Sequence, residues 1–405
     1  MLKDYFCSMT SRIALNGNEN NWLIGVGEAD LLEIDSNFQA HCVDAFLDQH
    51  KGFHLFSILS YDLGFELLPT VQQVKNRNFP LIRFWKANAV YTFDGTNLTC
   101  VEGDHTPENE RCALDCVQQK TGTIPHFEWS ANQSKAEYIQ AVSNLKNHIQ
   151  QGNIYEINYC QAFAASLPEN ANVLAMYHRL NDATTTPFSV FFESDRFAMA
   201  CASPERFIKK TGDRLISQPI KGTAPRGATA DLDAALRDNL VNNPKERAEN
   251  IMIVDLVRND CSRIATKGSV HVDELCGLYS FPTVHQLIST VSCTIRPETT
   301  FSNILSALFP MGSMTGAPKI AAINLAESTE KNAREWYSGS VGVVYPSGDF
   351  DFNVVIRSLI FDWLNQSVSV GVGGAITIHS DPYAEYEECK VKVGKILSLF
   401  GSCQW

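Results

Sequence analysis

The sequence predicts an α+β fold, a largely antiparallel β-sheet core flanked by helices. Runs rich in aromatic and β-branched residues read as strands. Helical stretches announce themselves by capping residues. Strands and helices come in blocks rather than in strict alternation, which argues against a parallel βαβ sheet. Taken in order, Phe53–Tyr61 and Leu81–Tyr91 have strand composition, and a polar stretch at 118–133 reads as a linker. Ser134 with Glu137 forms a capping box; Tyr138, Val142, Leu145 and Ile149 then repeat at helical spacing until Gly152 stops the helix. Further strands are expected at Phe188–Phe192, Phe197–Cys201, Ser340–Tyr345 and Phe352–Phe361. The 405 residues suit two domains or one large elaborated one. The linker divides them into an N-terminal region, 1–125, and a catalytic region, 126–405.

Composition removes several classes of function. A formal charge of -12 disfavours nucleic acid or an anionic membrane surface as partner. No apolar run reaches the roughly 20 residues of a membrane span, and the first twenty residues are too polar for a signal peptide. Twelve cysteines lie singly, with no C-x-x-C pair, so they read as mostly buried thiols of a reducing cytoplasm.

Chemistry enters at PIKGTAPRG, residues 219–227. Lys221 stands between an apolar residue and a Gly-Thr pair, in what reads as a tight turn. Desolvation there would lower its pKa and free the amine to act as a nucleophile, although the same pattern suits a surface lysine. Two similar glutamate pairs follow. Asn243 caps a helix that starts at Pro244 and carries Glu246 and Glu249; Asp381 caps one that starts at Pro382 and carries Glu385 and Glu388. Glutamates are favoured in any first helical turn, yet the duplicated oxygen-only set, with no His/Cys set beside it, suits Mg²⁺ better than zinc. Three Gly-rich stretches, 309–320, 337–344 and 371–377, read as loops that bring backbone N–H groups to an anion. None matches a P-loop or a dinucleotide fingerprint.

SPERF, PIKGTAPRG, ERAENIMIVDLVRND, GSMTGAPKI, VVIRS, GGAITIHSDP and a final Glu-x-x-Glu-x-x-x-Lys occur in that order from about Ser134 to the C-terminus. In these motifs the chain resembles the chorismate-utilising enzymes, which include the large component of anthranilate synthase, aminodeoxychorismate synthase component I, and isochorismate and salicylate synthases. The N-terminal third carries less of the likeness, chiefly in Ile58–Pro69.

The resemblance implies an anthranilate synthase component I-like fold and a set of roles. Lysine in PIKGT, where anthranilate synthases typically have alanine, resembles the members that aminate chorismate at C4 on the way to p-aminobenzoate and folate. Anthranilate or isochorismate formation, or a non-catalytic chorismate-binding paralogue, are the alternatives. Glu205 of SPERF would be the general acid for the C4 hydroxyl, through a pKa raised by burial or nearby carboxylates, and Lys221 the covalent nucleophile at C2. The two glutamate pairs would hold Mg²⁺ on the ring carboxylate. Arg357 would pair with a substrate carboxylate; Lys392 would meet a carboxylate or neutralise Glu388; His285 matches the family histidine. Gly222, Thr223, Ser313, Gly373, Gly374 and Ala375 would line the pocket. No G-x-C-x-G elbow is present, so ammonia would come from a separate glutamine amidotransferase subunit. LLEIDSN and TTTPFSVFF depart from the family's tryptophan-sensing segments, which disfavours feedback by tryptophan.

Overall fold

Strand-forming segments from both ends of the chain assemble into two large sheets. The computed structural model describes residues 11–17, 21–68, 70–71 and 75–404. Most of the opening stretch tested for a leader, and Pro69 of the Ile58–Pro69 segment, lie outside the described residues.

The larger sheet has 12 strands. Its order is Gly401–Cys403, Phe127–Ala131, Glu156–Ser166, Ser367–Ile376, Ser358–Asp362, Phe197–Ser203, Phe188–Glu193, Arg12–Asn16, Trp22–Val26, Ala89–Phe93 and Leu98–Gly103. The short Gly316–Ala317 strand pairs beside Glu156. The second sheet, of 10 strands, runs Ile220–Pro225, Val284–Thr294, Arg214–Gln218, Arg206–Thr211, Phe350–Asn353, Ser340–Val344, Leu55–Leu59, Ile82–Lys86 and Asp30–Ile34. His271–Ser280 also pairs with Val284–Thr294. Pairing is antiparallel throughout the described strands except between Gly401–Cys403 and Phe127–Ala131, so the sheet character follows the sequence expectation. Both sheets draw strands from either side of residue 125: Arg12–Asn16 pairs with Phe188–Glu193, and Leu55–Leu59 with Ser340–Val344.

Two expected strands divide. Leu81–Tyr91 becomes Ile82–Lys86 in the second sheet and Ala89–Phe93 in the larger one, and Phe352–Phe361 splits likewise around residues 354–357. Composition registers burial, and both halves are buried; it does not register which sheet receives them. The Gly-rich stretch at 371–377 also differs from expectation. It lies mostly in the Ser367–Ile376 strand, whose burial alternates residue by residue.

One hydrophobic core lies between the sheets, where Phe56 and Trp85 meet Phe192 and Met199. A second core lies under the helices Lys135–Gln150, Val173–Thr184 and Pro382–Phe400, on the outer face of the larger sheet. The capping signals hold. Ser134 and Glu137 make both bonds of the box. Asn243 accepts from the N–H of Lys245 and Glu246, and Asp381 from those of Tyr383 and Ala384. Helix Pro244–Ser262 packs on Ile220–Pro225 and Val284–Thr294, and Pro382–Phe400 packs on Ser367–Ile376. One glutamate-bearing helix therefore stands on each sheet. The described cysteines are free thiols, most of them buried, and no helix among the described residues is long and apolar enough to cross a membrane.

A buried cluster locks the larger sheet to the turn Gly312–Met314. The Arg334 guanidinium makes a two-pronged pair with Glu330 at 2.6 and 2.9 Å, donates to the Met314 carbonyl at 2.6 Å and to the Asn158 carbonyl at 2.8 Å, and lies 4.4 Å from the Tyr61 ring centre. Glu330 in turn accepts from the Cys160 N–H at 2.9 Å. Removing one partner of such a pair leaves a buried charge uncompensated. Arg334→Ala is expected to lower stability by about 3–5 kcal/mol, read from the denaturant midpoint; a loss under about 1 kcal/mol would show the cluster to be dispensable.

Candidate active site

Lys221 sits on an edge strand rather than in a free turn, and a bulge aims its side chain. The Ile220–Pro225 strand pairs with Val284–Thr294, with its register shifting between Ile220 and Thr223. Gly222 sits in that shift at φ +92°, a backbone that an L side chain rarely adopts. Asn250, from the helix carrying Glu246 and Glu249, fixes the bulge by donating to the Lys221 and Leu287 carbonyls, both at 3.3 Å. The ammonium then meets Glu156 Oε1 at 3.1 Å. Glu156 is fully buried at the start of Glu156–Ser166, and its Oε2 has no hydrogen-bond partner.

The charge state of Lys221 reverses the first expectation. Desolvation does pull its pKa down, but Glu156, Glu249 and Glu205 together more than offset it, and the net shift is upward. The lysine is held as an ammonium. Glu205, in the link between Phe197–Ser203 and Arg206–Thr211, shows the opposite balance. Burial pushes its carboxyl up to about 7, against the Ser313 hydroxyl, Lys221, the Ile220 N–H and Arg357, all of which favour the anion. The two groups bear on each other electrostatically, one charged and the other able to stay protonated near neutrality.

Arg357 lies in the link between Phe350–Asn353 and Ser358–Asp362, where the chain passes from one sheet to the other. Its φ of +54° is unusual for a residue with a side chain. Among the described residues no hydrogen bond or ion pair holds its guanidinium; burial lowers its pKa, and Glu205 is the acid it feels. Ser313, in the turn Gly312–Met314, is buried against Glu205.

The remaining expected residues divide. Thr223 lies on the lysine strand and accepts from Gln286 at 3.4 Å. Gly373 and Gly374 point to opposite faces of their strand: a side chain at Gly374 would approach Glu385 Oε2 and Lys392 Nζ, whereas one at Gly373 would run into Cys160. Ala375 shares the Gly373 face. Lys392 pairs with Glu388 at 2.7 Å and donates to the Gly373 carbonyl at 3.3 Å, the neutralising role of the two envisaged. His285, expected as a substrate contact, has its ring nitrogens engaged by Ser280 Oγ at 2.8 Å and Asp233 Oδ1 at 3.0 Å, and it is buried. Through Asp233, which pairs with Arg226, it braces the far end of the lysine strand.

The glutamate pairs converge, but lysines stand among them. Lys245 Nζ lies 3.8 Å from Glu249 and 3.6 Å from Glu385. Burial raises the pKa of Glu246 despite Lys245, and takes Glu249 to about 7. At Glu388, burial is outweighed by Lys392, Lys245 and Lys221, and the pKa falls. Among the described residues no three or more His, Cys, Asp or Glu side chains are gathered closely enough to hold a metal ion. The donor chemistry nevertheless suits a hard cation: all donors are carboxylate oxygens, and the buried Oε1 of Glu249 lacks a hydrogen-bond partner. The Lys245 ammonium takes the intervening place.

Sequence reasoning missed Glu156 and Asn250. Asn250 adjoins Glu249 within a quoted motif; Glu156 carries no local signal, because it reaches the lysine across 65 positions of chain.

The fold and the motif residues together define a chorismate binding enzyme: that family matches residues 10–398, and the chain belongs to it. It is 39% identical over 269 residues to aminodeoxychorismate synthase component 1 of Klebsiella aerogenes, covering 66% of this chain and 59% of that protein. It is 39% identical over 318 residues to aminodeoxychorismate synthase of Streptomyces griseus, covering 78% and 42%. The chain thus spans less than two thirds of these relatives. Its fold is that of anthranilate synthase component I from Streptococcus pneumoniae TIGR4, with TM-score 0.80, 21% identity, and coverage of 94% of this chain and 92% of that one. The menaquinone-specific isochorismate synthase of Escherichia coli has the same fold, with TM-score 0.78, 16% identity, and coverage of 97% and 89%.

The raised pKa of Glu205 has a stability consequence. Between its unfolded value near 4.5 and its folded value near 7, the native state binds the extra proton, so stability falls as pH rises through that window. Glu205→Gln removes this titration. The unfolding free energy of the variant relative to the parent is expected to rise by about 3 kcal/mol from acidic to mildly alkaline pH. A difference that stays flat would mean that the carboxyl is not held protonated.

Proposed function

We propose that this chain replaces the C4 hydroxyl of chorismate with an amino group, forming 4-amino-4-deoxychorismate for p-aminobenzoate and folate synthesis. The observation that carries the reading is the pairing of Lys221 with a buried acid, Glu205, poised near neutrality. The names of the curated relatives favour this product over anthranilate or isochorismate.

In this reading Glu205 protonates the departing hydroxyl, which is a poor leaving group otherwise. The Lys221 amine attacks C2 as the ring double bond shifts and water leaves, giving a covalent adduct. Ammonia adds at C4, the double bond returns, and the lysine departs. One hard displacement becomes two easier ones. Arg357, without a hydrogen-bond or ion-pair partner among the described residues, offers two parallel N–H donors to a substrate carboxylate. Ser313 orients the acid, while Gly222, Thr223, Gly373, Gly374 and Ala375 shape the walls. Glu246, Glu249, Glu385 and Glu388 would hold Mg²⁺ once Lys245 withdraws, supplying a Lewis acid for the ring carboxylate. A separate glutamine amidotransferase subunit would supply ammonia, in keeping with the "component 1" in the relatives' names, and the setting would be cytoplasmic.

The test supplies chorismate, Mg²⁺ and ammonium at alkaline pH and identifies the product by mass and fluorescence. Aminodeoxychorismate is expected; anthranilate, isochorismate or no turnover would overturn the reading. Lys221→Ala should abolish the ring adduct in intact mass, and an adduct that persists would place the nucleophile elsewhere. Glu205→Gln should lower kcat by about 10²–10⁴-fold. Glu249→Gln and Glu388→Gln should each weaken the Mg²⁺ dependence of turnover, and an unchanged Mg²⁺ titration in both would remove the metal assignment.

A further inference from the structure

An ammonium cannot attack carbon, and the structure holds Lys221 as one. Glu156 creates this difficulty and also offers the way out. Its carboxylate is the only group hydrogen-bonded to Lys221 Nζ among the described residues, at 3.1 Å, with side-chain exposures of 11% for the lysine and 1% for the glutamate. Its second oxygen is buried without a partner. The backbone that carries this carboxylate is pinned on both sides. The Gly316–Ala317 strand pairs against Glu156 and Ile157, so closely that a side chain at Gly316 would fall 2.2 Å from the Glu156 carbonyl. On the other side, Ile157 pairs with Ile376.

We propose that Glu156 is a catalytic residue that takes the proton from Lys221 before attack and returns it after the lysine leaves. The inference rests on the reading of Lys221 as nucleophile. In a dry pair, the neutral amine and carboxylic acid compete with the ion pair, because burial penalises both charges. One proton moves from Nζ to Oε1, giving amine and acid. The amine forms the bond to C2 while Glu205 gives its proton to the departing hydroxyl, so the adduct is a secondary ammonium and Glu205 an anion. Ammonia then bonds to C4, the C2–N pair returns to Lys221 as neutral amine, and Glu205 recovers a proton from the new C4 ammonium. Glu156 finally hands its stored proton back to Lys221. Atoms and charge balance, and no further reactant is required beyond chorismate and ammonia.

The charged groups facing Lys221 come from four elements: Glu156 from its strand, Glu205 from its link, Glu246 and Glu249 from the Pro244–Ser262 helix, and Glu388 from the Pro382–Phe400 helix. Neither Lys221 nor Glu156 makes a hydrogen bond or ion pair with the four paired glutamates.

A pair sharing one proton has a distinctive signature. Between its two macroscopic titrations the amine–acid form keeps a constant share of the pair, so free amine is flat with pH wherever that share exceeds the amine produced by full deprotonation. A lone lysine instead gains about tenfold in free amine per pH unit below its pKa. The test is trace acetylation of Lys221 by acetic anhydride on the folded protein, without substrate, read by peptide mass from about pH 6.5 to about pH 8.5. It is run both with Mg²⁺ and with a chelator. The parent is expected to change by less than about threefold. Glu156→Gln, which keeps the shape but cannot hold the proton, should rise by at least about tenfold over the same span, less than a lone lysine would because Glu205 and Glu249 ionise there and hold the ammonium, and Glu156→Asp should restore a flat profile. Parallel profiles for parent and Gln variant, or a steep one for the parent, would overturn the proposal. Because acetylation needs no chorismate, a flat parental profile beside absent chorismate turnover would sink the proposed function while sustaining the proton-sharing pair.

Discussion

A lysine ammonium buried between two sheets has to be compensated, and much of the molecule's centre follows from that requirement. Burial alone would expel the charge or neutralise it. The compensation comes from carboxylates on separate elements, with Glu156 in hydrogen-bond contact and Glu249 and Glu205 acting through space. Each carboxylate is itself desolvated, which is why Glu249 and Glu205 rise to about 7. The result is a region where few protons are firmly placed. Such a region is poor for stability and well suited to proton transfer.

The sheets make this arrangement possible by exchanging chain at the right positions. Residues 354–357 carry the backbone from the second sheet to the larger one and leave Arg357 in a left-handed conformation between them. The Arg334 cluster then ties the Glu156 strand, through the Asn158 carbonyl, to the turn holding Ser313, through the Met314 carbonyl. One buried guanidinium thus ties the strand of Glu156, the partner of Lys221, to the turn of Ser313, the partner of Glu205. Its own charge is neutralised locally by Glu330, so it contributes geometry without adding to the field around Lys221.

What the sequence disclosed follows the range of each interaction. Caps are local, so Ser134, Asn243 and Asp381 were legible, and with them the helix starts that present the glutamates. The antiparallel character was legible from the blocks of strands. The assignment of a strand to one sheet or the other was not, because Leu81–Tyr91 and Phe352–Phe361 are apolar on both sides of their breaks. The motifs singled out Lys221 and Glu205, and in the structure the two act on each other electrostatically. The protonation state of Lys221 was beyond reach, since a turn-like context suggests desolvation while the deciding carboxylate lies 65 positions away. His285 shows the converse: its motif carried a functional expectation, and its neighbours Ser280 and Asp233 satisfy it structurally.

The opposite behaviour of Lys221 and Glu205 is the last step. Both are buried, and both feel the other's charge, yet the lysine is pushed toward its charged form and the glutamate toward its neutral one. The asymmetry lies in the partners. Lys221 faces several carboxylates, one at 3.1 Å, so attraction exceeds desolvation. Glu205 has a hydroxyl, a backbone N–H and the charges of Lys221 and Arg357, and desolvation exceeds their combined attraction. Separating the proton affinities of neighbouring groups in this way leaves a protonated carboxyl beside a charged lysine near neutral pH. A nucleophilic Lys221, as proposed, would need a base, and among the described residues the only carboxylate in hydrogen-bond contact with it, Glu156, is also the one that keeps it charged.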